Sequence, residues 1–514
     1  MKLKTILNHE KKGKVIRLVA IAIILLTAFL FYYKNLQADL YADALDTKYL
    51  NGYIILGLIT LVFTLIATSF IDTTKVKKLH KQYFIIAMLL GICYLFIMPL
   101  FTQSDEPAHY LRAYELSEGY FTTPYYENSR QNSFDKSVVD SIYNNEKQAE
   151  YKKYEDMLKI SKIQLNQGEK GNLKISAANY SIVNYIPHVL GILLGKLFHL
   201  NPYFCGIIGR FLSLLFCVSL VSIGIKLLPN GKFFAFILML SPTFLSYSAS
   251  FSADGTTIAY SFIFLSYILS KIKEKKSFKW QDYFLLFLLT ICVSLAKVVY
   301  LPFVFLILLL PHECFKSKKQ EIIVKIIYIA IGIFMNLGWQ ELLKWTATSE
   351  AAMASNTEAP NNWIMQQPIR YLMVVLNTIA QNGYNYLENI FAGEFLCHWQ
   401  VRPFPIVNFG FIMVNLFAFL SEEKNRDNVW KKTIFIVGIL GSIFVLICTA
   451  LYLCTYEGAR TIIGIQGRYF FPIICALLFF KVKNPIKINK YILAYITIVL
   501  NYIVMLEMIT TFLY

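Results

Sequence analysis

Two acidic residues and a histidine lie together directly after an apolar stretch of the sequence. The run Thr102-Gln-Ser-Asp-Glu-Pro-Ala-His109 follows the apolar segment at residues 83–101. Ionisable groups are costly to place at the face of a membrane, so they mark a candidate functional site. Asp105 could act as a general base, Glu106 could supply a second charge or bind a metal, and His109 lies one helical turn after Asp105.

The same residues also fit a purely structural role. Ser104 or Asp105 could cap the start of a solvated helix, with Pro107 in the first turn of that helix. Capping and catalysis use the same residue types, so this run does not by itself distinguish them. The distinction depends on whether other unusual residues lie on the same side of the membrane.

The composition identifies the class of protein. The chain has 514 residues, of which 56% are hydrophobic, and long apolar runs recur throughout it. Soluble globular domains do not contain such runs, whereas a helix needs about 20 apolar residues to cross a bilayer. We therefore predict an all-α, polytopic membrane protein.

Charge and cysteine usage argue against other classes. The formal net charge is +17, but the lysines concentrate in short connections between apolar runs, where they set orientation. No nucleic-acid partner is therefore indicated. The nine cysteines include no C-x-x-C pair and most lie inside apolar runs, so neither a disulfide framework nor a zinc site is expected.

The distribution of basic residues predicts the orientation of the first spans. Positions 1–17 are basic, and the first span at 18–33 has no small-residue cleavage site, so we expect a retained anchor with a cytoplasmic N-terminus. The acidic link at 39–46 then lies outside, and the lysines at 75–81 return inside. The third span therefore brings Asp105 to the outer face.

The segment at residues 182–200 decides the topology of the rest of the chain. It is apolar but short, and Asn184, Pro187, His188 and Lys196 interrupt it. If it does not cross, five later lysine clusters all lie in the cytoplasm, as the positive-inside rule favours. We therefore predict an interfacial or re-entrant helix here. The spans after the first three are expected at residues 204–225, 233–249, 256–269, 283–295, 298–310, 322–343, 406–420, 433–454, 469–480 and 491–513.

This topology gives about thirteen transmembrane helices and a C-terminus outside. It divides the chain into a two-helix N-terminal membrane segment at 1–82 and a transmembrane domain at 83–514. The second part contains a large extracytoplasmic loop at 102–203, after the third span, and an external segment at 344–405. Within the loop, residues 146–162 are predicted to form an exposed amphipathic helix.

The predicted topology places several unusual residues on the same face as Asp105. They are Asp254, Lys297, the stretch Gly393-Glu-Phe-Leu-Cys-His-Trp399 and the stretch Gln466-Gly-Arg-Tyr469. Each has a structural alternative, since an acid can cap a span, a lysine can extend its amine to the membrane surface, and tryptophan or arginine can flank a span. Their convergence beside a long external loop nevertheless favours a shared site for amphipathic, lipid-linked substrates.

These motifs, in this order, resemble those of a bacterial membrane family known as domain of unknown function 2142. The resemblance rests on Asp-Glu-Pro-Ala-His with Arg112-Ala113 and Gly119, on Ser-Ala-Asp-Gly around Asp254, on Gly-Glu-Phe-Leu before Trp399 and Pro403, and on Gln-Gly-Arg-Tyr-Phe-Phe-Pro472. It covers most of the chain from Tyr83 onward.

That family in turn resembles the GT-C superfamily of glycosyltransferases. These enzymes have a large external loop that opens with an acidic pair, and they take a sugar from a polyprenyl-phosphate donor. The resemblance implies that Asp105 and Glu106 are this pair, acting as base or metal ligands, and that residues 185–200 are the juxtamembrane helix after the loop. The residues Phe198-His-Leu-Asn-Pro202 depart from the usual apolar passage ending in glycine, so the correspondence there is loose. The expected location is a bacterial plasma membrane, with the active face outside.

Sugar transfer needs a base for the acceptor hydroxyl and cations for the departing phosphate. Asp105 could be the base, whereas the phosphate would be held by a cation. Arginine binds phosphate oxygens in a fork, and Gly467 would let the backbone approach closely. The candidate cations are Arg468, Lys297 and Arg112; the candidate hydroxyl or Mg²⁺ or Mn²⁺ ligands are Glu106, Asp254 and Glu394; and Trp399, Trp363 and Tyr469 could stack on sugars, with His109 as a further substrate-binding residue.

The expected partners are a polyprenyl-phosphate sugar donor, a cell-envelope glycan or glycolipid acceptor, and membrane lipid. Two other function classes remain open. One is another envelope-polymer enzyme, such as a ligase or polymerase. The other is a non-catalytic transporter, flippase or scaffold of polysaccharide export. A transporter would need internal repeats and polar sites at the membrane midplane, whereas we find no repeat and the charged residues named above are predicted at the outer boundary.

Overall fold

The computed structural model of the chain is mostly helical (78%). It describes residues 2–42, 48–72, 76–126, 129–142, 153–165, 168–346, 363–393, 400–422, 430–452, 455, 458–480 and 486–513. The helices are α1 Lys2–Ala42, α2 Lys48–Ser69, α3 Leu79–Ile97, α4 Glu106–Ser117, α5 Lys136–Ile142, α6 Tyr154–Ile160, α7 Ile186–Leu197, α8 Pro202–Leu227, α9 Lys232–Leu238, α10 Pro242–Ser248, α11 Ala253–Glu274, α12 Trp280–Ala296, α13 Lys318–Trp345, α14 Pro368–Phe391, α15 Pro405–Leu420, α16 Trp430–Tyr452, α17 Phe471–Cys475 and α18 Lys490–Leu513.

Among the described residues, eight helices are long and apolar enough to cross a membrane. They contain the segments Gly13–Ala42, Lys48–Ser69, Val76–Ile97, Pro202–Leu227, Ala253–Glu274, Lys318–Trp345, Lys432–Tyr452 and Lys490–Leu513. The other five predicted spans correspond to shorter elements, so the count of thirteen remains a prediction. Four of these elements are Trp280–Ala296, Val298–Leu309, Pro405–Leu420 and Gly467–Phe479.

The fifth, predicted at 233–249 as one span, is two buried helices, α9 and α10. Ser241 caps α10 by accepting a hydrogen bond from the Phe244 N–H (3.4 Å), and Pro242 follows in the first turn. The break frees backbone carbonyls, which are costly to leave unpaired in an apolar interior. Tyr83 donates its hydroxyl to the Met239 carbonyl (3.2 Å), and Asn501 donates its amide to the Leu240 carbonyl (2.9 Å). The carbonyls of Met239 and Leu240, which the break frees, therefore have hydrogen-bond donors from the protein.

The helix α7 is too short to cross a bilayer. Its 12 residues extend about 18 Å, compared with a hydrocarbon core of about 30 Å. It packs antiparallel against the first part of α8, where a Cβ on Gly191 would come within 2.5 Å of the Gly209 Cα. This geometry fits the interfacial or re-entrant helix that the sequence predicts.

The long loop after α3 is a folded unit with its own apolar core. It contains the strands β1 Tyr125–Tyr126, β2 Ser129–Asp135 and β3 Lys170–Lys174, which form an antiparallel sheet in the order β1-β2-β3. Phe134, Ile160 and Tyr185 pack together in the core. The small sheet is a departure from the all-α expectation. Of the amphipathic helix predicted at 146–162, the structure has α6, while residues 143–152 lie outside the described part.

Candidate active site

The Asp105 side chain does not cap the helix that it precedes. Asp105 has a left-handed backbone (φ 62°) at the start of α4, and its carboxylate accepts no capping hydrogen bond. Instead, one carboxylate oxygen accepts a hydrogen bond from Arg468 Nη2 at 3.1 Å. The side chain remains 58% exposed. The geometry therefore leaves this carboxylate open to solvent or substrate.

Arg468 connects residues from distant parts of the chain. Its Nε donates to Asp254 Oδ2 (2.7 Å), its Nη1 donates to the Tyr247 hydroxyl (2.7 Å), and its Nη2 reaches Asp105. The side chain is only 3% exposed. It does not flank a span at the membrane surface. The preceding Gly467 lies against α14 so closely that a Cβ would come within 3 Å of the Asn389 side chain.

Asp254 and Lys297 complete the charged cluster, by which we mean Asp105, Asp254, Lys297 and Arg468. Ser252 caps α11 by accepting a hydrogen bond from the Asp254 N–H (3.0 Å), which leaves the Asp254 carboxylate for other partners. One of its oxygens binds Arg468, and the other accepts a hydrogen bond from Lys297. Lys297 is only 13% exposed, so it does not extend to the membrane surface.

Aromatic rings surround the two cations of the charged cluster. The Lys297 amine lies 4.7 Å from the Tyr469 ring centroid and 5.5 Å from that of Tyr180. The Arg468 guanidinium lies 4.9 Å from the Tyr247 ring and 5.2 Å from the Tyr469 ring. Ring faces attract cations, and they also exclude water from one side of each charge.

His109 lies beside the cluster in a buried position. Its Nδ1 is 2.5 Å from the Tyr185 hydroxyl, and its ring packs edge-on against Tyr180. Burial lowers the pKa of His109 from its ordinary 6.5 to about 4. The imidazole is therefore neutral near pH 7. A neutral imidazole donates one hydrogen bond and accepts another, and it adds no positive charge to the site.

Glu106 has a different environment from Asp105. It is fully buried and forms a bidentate ion pair with Arg210, whose Nε lies 2.7 Å from Glu106 Oε1. The same carboxylate accepts hydrogen bonds from the backbone N–H groups of Phe101 (2.8 Å) and Phe251 (2.9 Å). Its oxygens are thus occupied by protein donors, and the pair joins the turn before α4 to α8 and to the start of α11.

Arg112 also lies outside the charged cluster. It pairs with Glu115 on the next turn of α4 and donates to the carbonyls of Phe121 (2.8 Å) and Tyr180 (3.4 Å). Both charged side chains are fully buried. Arg112 therefore supports the folded loop. Its connection to the cluster is indirect, because it binds the Tyr180 carbonyl and the Tyr180 ring lies beside Lys297.

The remaining predicted site residues are Glu394, Trp399 and Trp363. Glu394 and Trp399 lie outside the described residues. Trp363 stacks on Tyr452, with ring centroids 5.4 Å apart, in another part of the structure.

A comparison of the chain with protein-family models gives a match. The model of a family described as predicted membrane protein (DUF2142) matches residues 88–477. The chain belongs to this family. The resemblance to DUF2142 that the sequence motifs indicated is therefore confirmed. The DUF2142 region contains all four residues of the charged cluster and the Glu106–Arg210 pair. Neither the curated proteins nor the solved structures gave a match.

The described acids of this DUF2142 protein do not form a divalent metal site by themselves. Among the described residues, no group of three or more His, Cys, Asp and Glu side chains converges in a way that could hold a metal. Both oxygens of Asp254 and both oxygens of Glu106 already accept hydrogen bonds from cations. Of the described candidate ligands Asp105, Glu106 and Asp254, only Asp105 keeps an open carboxylate, so a Mg²⁺ or Mn²⁺ ion here would also need oxygen ligands from a substrate phosphate and from water.

Sequence reasoning missed several residues that hold the DUF2142 site together. Arg210 is one of them, and the signal was present, since an arginine inside an apolar span is a functional or structural centre by default. Tyr180, Tyr185 and Tyr247 gave no such signal, because a single tyrosine in an aromatic-rich chain has no distinguishing pattern. The distant pairings of these residues become visible only in the folded chain.

Proposed function

We propose that this DUF2142 protein is a GT-C-type glycosyltransferase with about thirteen membrane crossings. It transfers a sugar from a polyprenyl-phosphate donor to a cell-envelope glycan or glycolipid at the outer face of the bacterial plasma membrane. The observation that supports this proposal best is the contrast within the charged cluster. Asp105 is exposed, whereas Asp254 and Arg468 are buried behind it and Lys297 is mostly buried.

The transfer step follows from this arrangement. The acceptor hydroxyl oxygen forms a bond to the anomeric carbon of the sugar, while the bond from that carbon to the phosphate oxygen breaks. Asp105 takes the hydroxyl proton as general base. The polyprenyl phosphate leaves with the electron pair of the broken bond, and its additional negative charge is stabilised by cations that are already in place.

Arg468 and Lys297 are the cations that would meet this charge. Three of the five N–H groups of Arg468 have acceptors within the described residues, which leaves further donors for a phosphate oxygen. Lys297 uses one of its three donors for Asp254. Asp254 holds both cations in position and offsets part of their charge, which reduces the cost of burying them before a substrate binds.

The position of the cluster suits a lipid-linked substrate. Asp105 follows the end of α3, Asp254 lies in the first turn of α11, and Lys297 directly follows the end of α12. The cluster thus lies where membrane-buried helices begin and end. A polyprenyl chain could remain among apolar helix surfaces while its phosphate and sugar reach the charged residues.

Transport is the alternative for which the structure offers a specific feature. The break between α9 and α10 resembles the interrupted helices with which transporters bind substrates and ions. In this protein Tyr83 and Asn501 occupy the carbonyls freed at Met239 and Leu240. A break saturated by protein donors offers no open coordination site, so we favour transfer chemistry.

The substitution Asp105→Asn tests the proposal. Asparagine tolerates the left-handed backbone at this position, and no capping bond is lost, so the fold should be retained. The general base is removed, and we expect release of polyprenyl phosphate from a labelled polyprenyl-phosphate hexose to fall by a factor of about 10² or more. The matched control is Glu118→Gln at the other end of α4, which should retain activity. Normal release by the Asp105→Asn protein would refute the assignment.

A further inference from the structure

A cavity lies apart from the charged cluster. Its volume is about 240 Å³, and it lies between the first turns of α14 and the segment 458–460. Its polar lining includes Arg370, Asn377 and Arg460, together with Trp363. None of these residues takes part in the charged cluster, and the proposed transfer step does not use them.

Two arginines, Arg370 and Arg460, line this cavity, and neither has a carboxylate partner among the described residues. Arg370 donates from Nη1 to Gln367 Oε1 (3.2 Å), and its guanidinium lies 5.8 Å from the Trp363 ring centroid. The backbone of Arg460 is held by Asn377, whose amide donates to the Arg460 carbonyl (2.8 Å). Two arginines beside an amide and an indole offer donors for an anion with planar or tetrahedral oxygen atoms.

The cavity adjoins an exposed apolar helix face. Ile369, Leu372, Met373 and Leu376 lie on one side of α14 and are 71%, 55%, 62% and 56% exposed. Met373 belongs both to this face and to the cavity lining. In a membrane protein, a helix with such a face on one side and arginine on another is typical of the boundary between headgroups and acyl chains. The anion that fits the cavity should therefore carry an apolar chain.

We propose that this cavity binds the phosphate headgroup of an anionic lipid, with the acyl chains along the Ile369–Leu376 face of α14. The guanidinium groups of Arg370 and Arg460 bind the phosphate oxygens, and Trp363 packs against the headgroup at the interface. This site is separate from the proposed donor site.

The position of the lipid site gives it a structural consequence. The Thr378 hydroxyl on α14 accepts a hydrogen bond from the Ile462 N–H (2.9 Å). The segment that begins with residues 458–460 at the cavity is therefore bound to α14. The same segment leads to Gly467 and Arg468. A bound lipid would therefore stabilise the backbone that delivers Arg468 to the charged cluster.

Native mass spectrometry of the full-length protein tests this proposal. The protein in neutral detergent would be titrated with phosphatidylglycerol, with phosphatidylcholine and with inorganic phosphate. We expect tighter binding of phosphatidylglycerol than of phosphatidylcholine. Arg370→Gln and Arg460→Gln should each weaken that binding by about tenfold or more, because each removes charged hydrogen bonds. The control Lys344→Gln, which removes an exposed cation from α13, should leave it unchanged.

Three results would overturn the proposal. The first is equal binding of phosphatidylcholine and phosphatidylglycerol, which would leave only an apolar surface. The second is phosphatidylglycerol binding that is unaffected by both arginine substitutions. The third is a site for free phosphate. It would be indicated if inorganic phosphate, at the same concentration as the lipid, displaced phosphatidylglycerol and if Leu372→Gln left phosphatidylglycerol binding unchanged. If a glutamine variant does not fold, Arg370→Lys with Arg460→Lys keeps the charge and should weaken binding by losing the bidentate geometry.

Discussion

Replacement of Glu106 by glutamine separates a positioning role from a catalytic one. Glu106 is fully buried, and its two oxygens accept hydrogen bonds from Arg210 and from the backbone N–H groups of Phe101 and Phe251. In the Glu106→Gln protein, an amide NH₂ group must face some of these donors, and Arg210 loses its counter-charge. Breaking a buried ion pair in this way costs about 3–5 kcal/mol. We expect a clear fall in melting temperature and in membrane abundance.

The assay is the melting temperature of detergent-solubilised protein, followed by size-exclusion chromatography, with abundance measured in isolated membranes. The control Glu118→Gln breaks a partly exposed pair with Lys196, which is worth at most about 1 kcal/mol, and should melt almost normally. Asp105→Asn should also melt normally, because its side chain is largely exposed. A Glu106→Gln protein with normal stability but no activity would refute this reasoning and would make Glu106 a catalytic residue.

Three further predictions follow from the site and from the topology. Arg468→Lys should reduce donor cleavage at least tenfold, because an ammonium group cannot reach Asp254, Tyr247 and Asp105 together; unchanged turnover would contradict this. Burial lowers the pKa of His188 to about 4, so the unfolded chain takes up a proton below about pH 6.5 before the folded chain does. Stability should therefore fall from pH 7 to 5, and less steeply in His188→Gln; equal slopes would contradict this. Finally, a membrane-impermeant maleimide should label a cysteine at Lys170 in intact cells but not one at Ser277, and equal labelling would overturn the predicted orientation.

Much of the membrane architecture could be predicted from the sequence because hydropathy is a local property. The long apolar runs correspond to helices. Four charged residues at the ends of apolar runs were predicted as site residues, namely Asp105, Asp254, Lys297 and Arg468. The structure brings these four side chains together. Each one lies next to the start or end of an apolar segment, which is why a topological argument could relate them.

The remaining features depend on contacts that local patterns do not encode. Arg468 and Asp254 are 214 positions apart, and no spacing rule relates them. The break after α9 was signalled by Ser241-Pro242, an N-cap followed by proline, but the apolar run around it dominated the prediction. The separate roles of Asp105 and Glu106 could not be read from adjacent carboxylates, because burial and partners distinguish them.

The most direct test of the account is a structure of the protein in lipid nanodiscs with a non-cleavable polyprenyl-phosphonate sugar. We predict that the phosphonate oxygens lie within about 3 Å of Arg468 or Lys297, as hydrogen bonding requires. The anomeric carbon should lie on the side of the Asp105 carboxylate, with room between them for an acceptor hydroxyl. A ligand bound elsewhere, with Asp105 and Arg468 facing only water, would contradict the proposed transfer reaction.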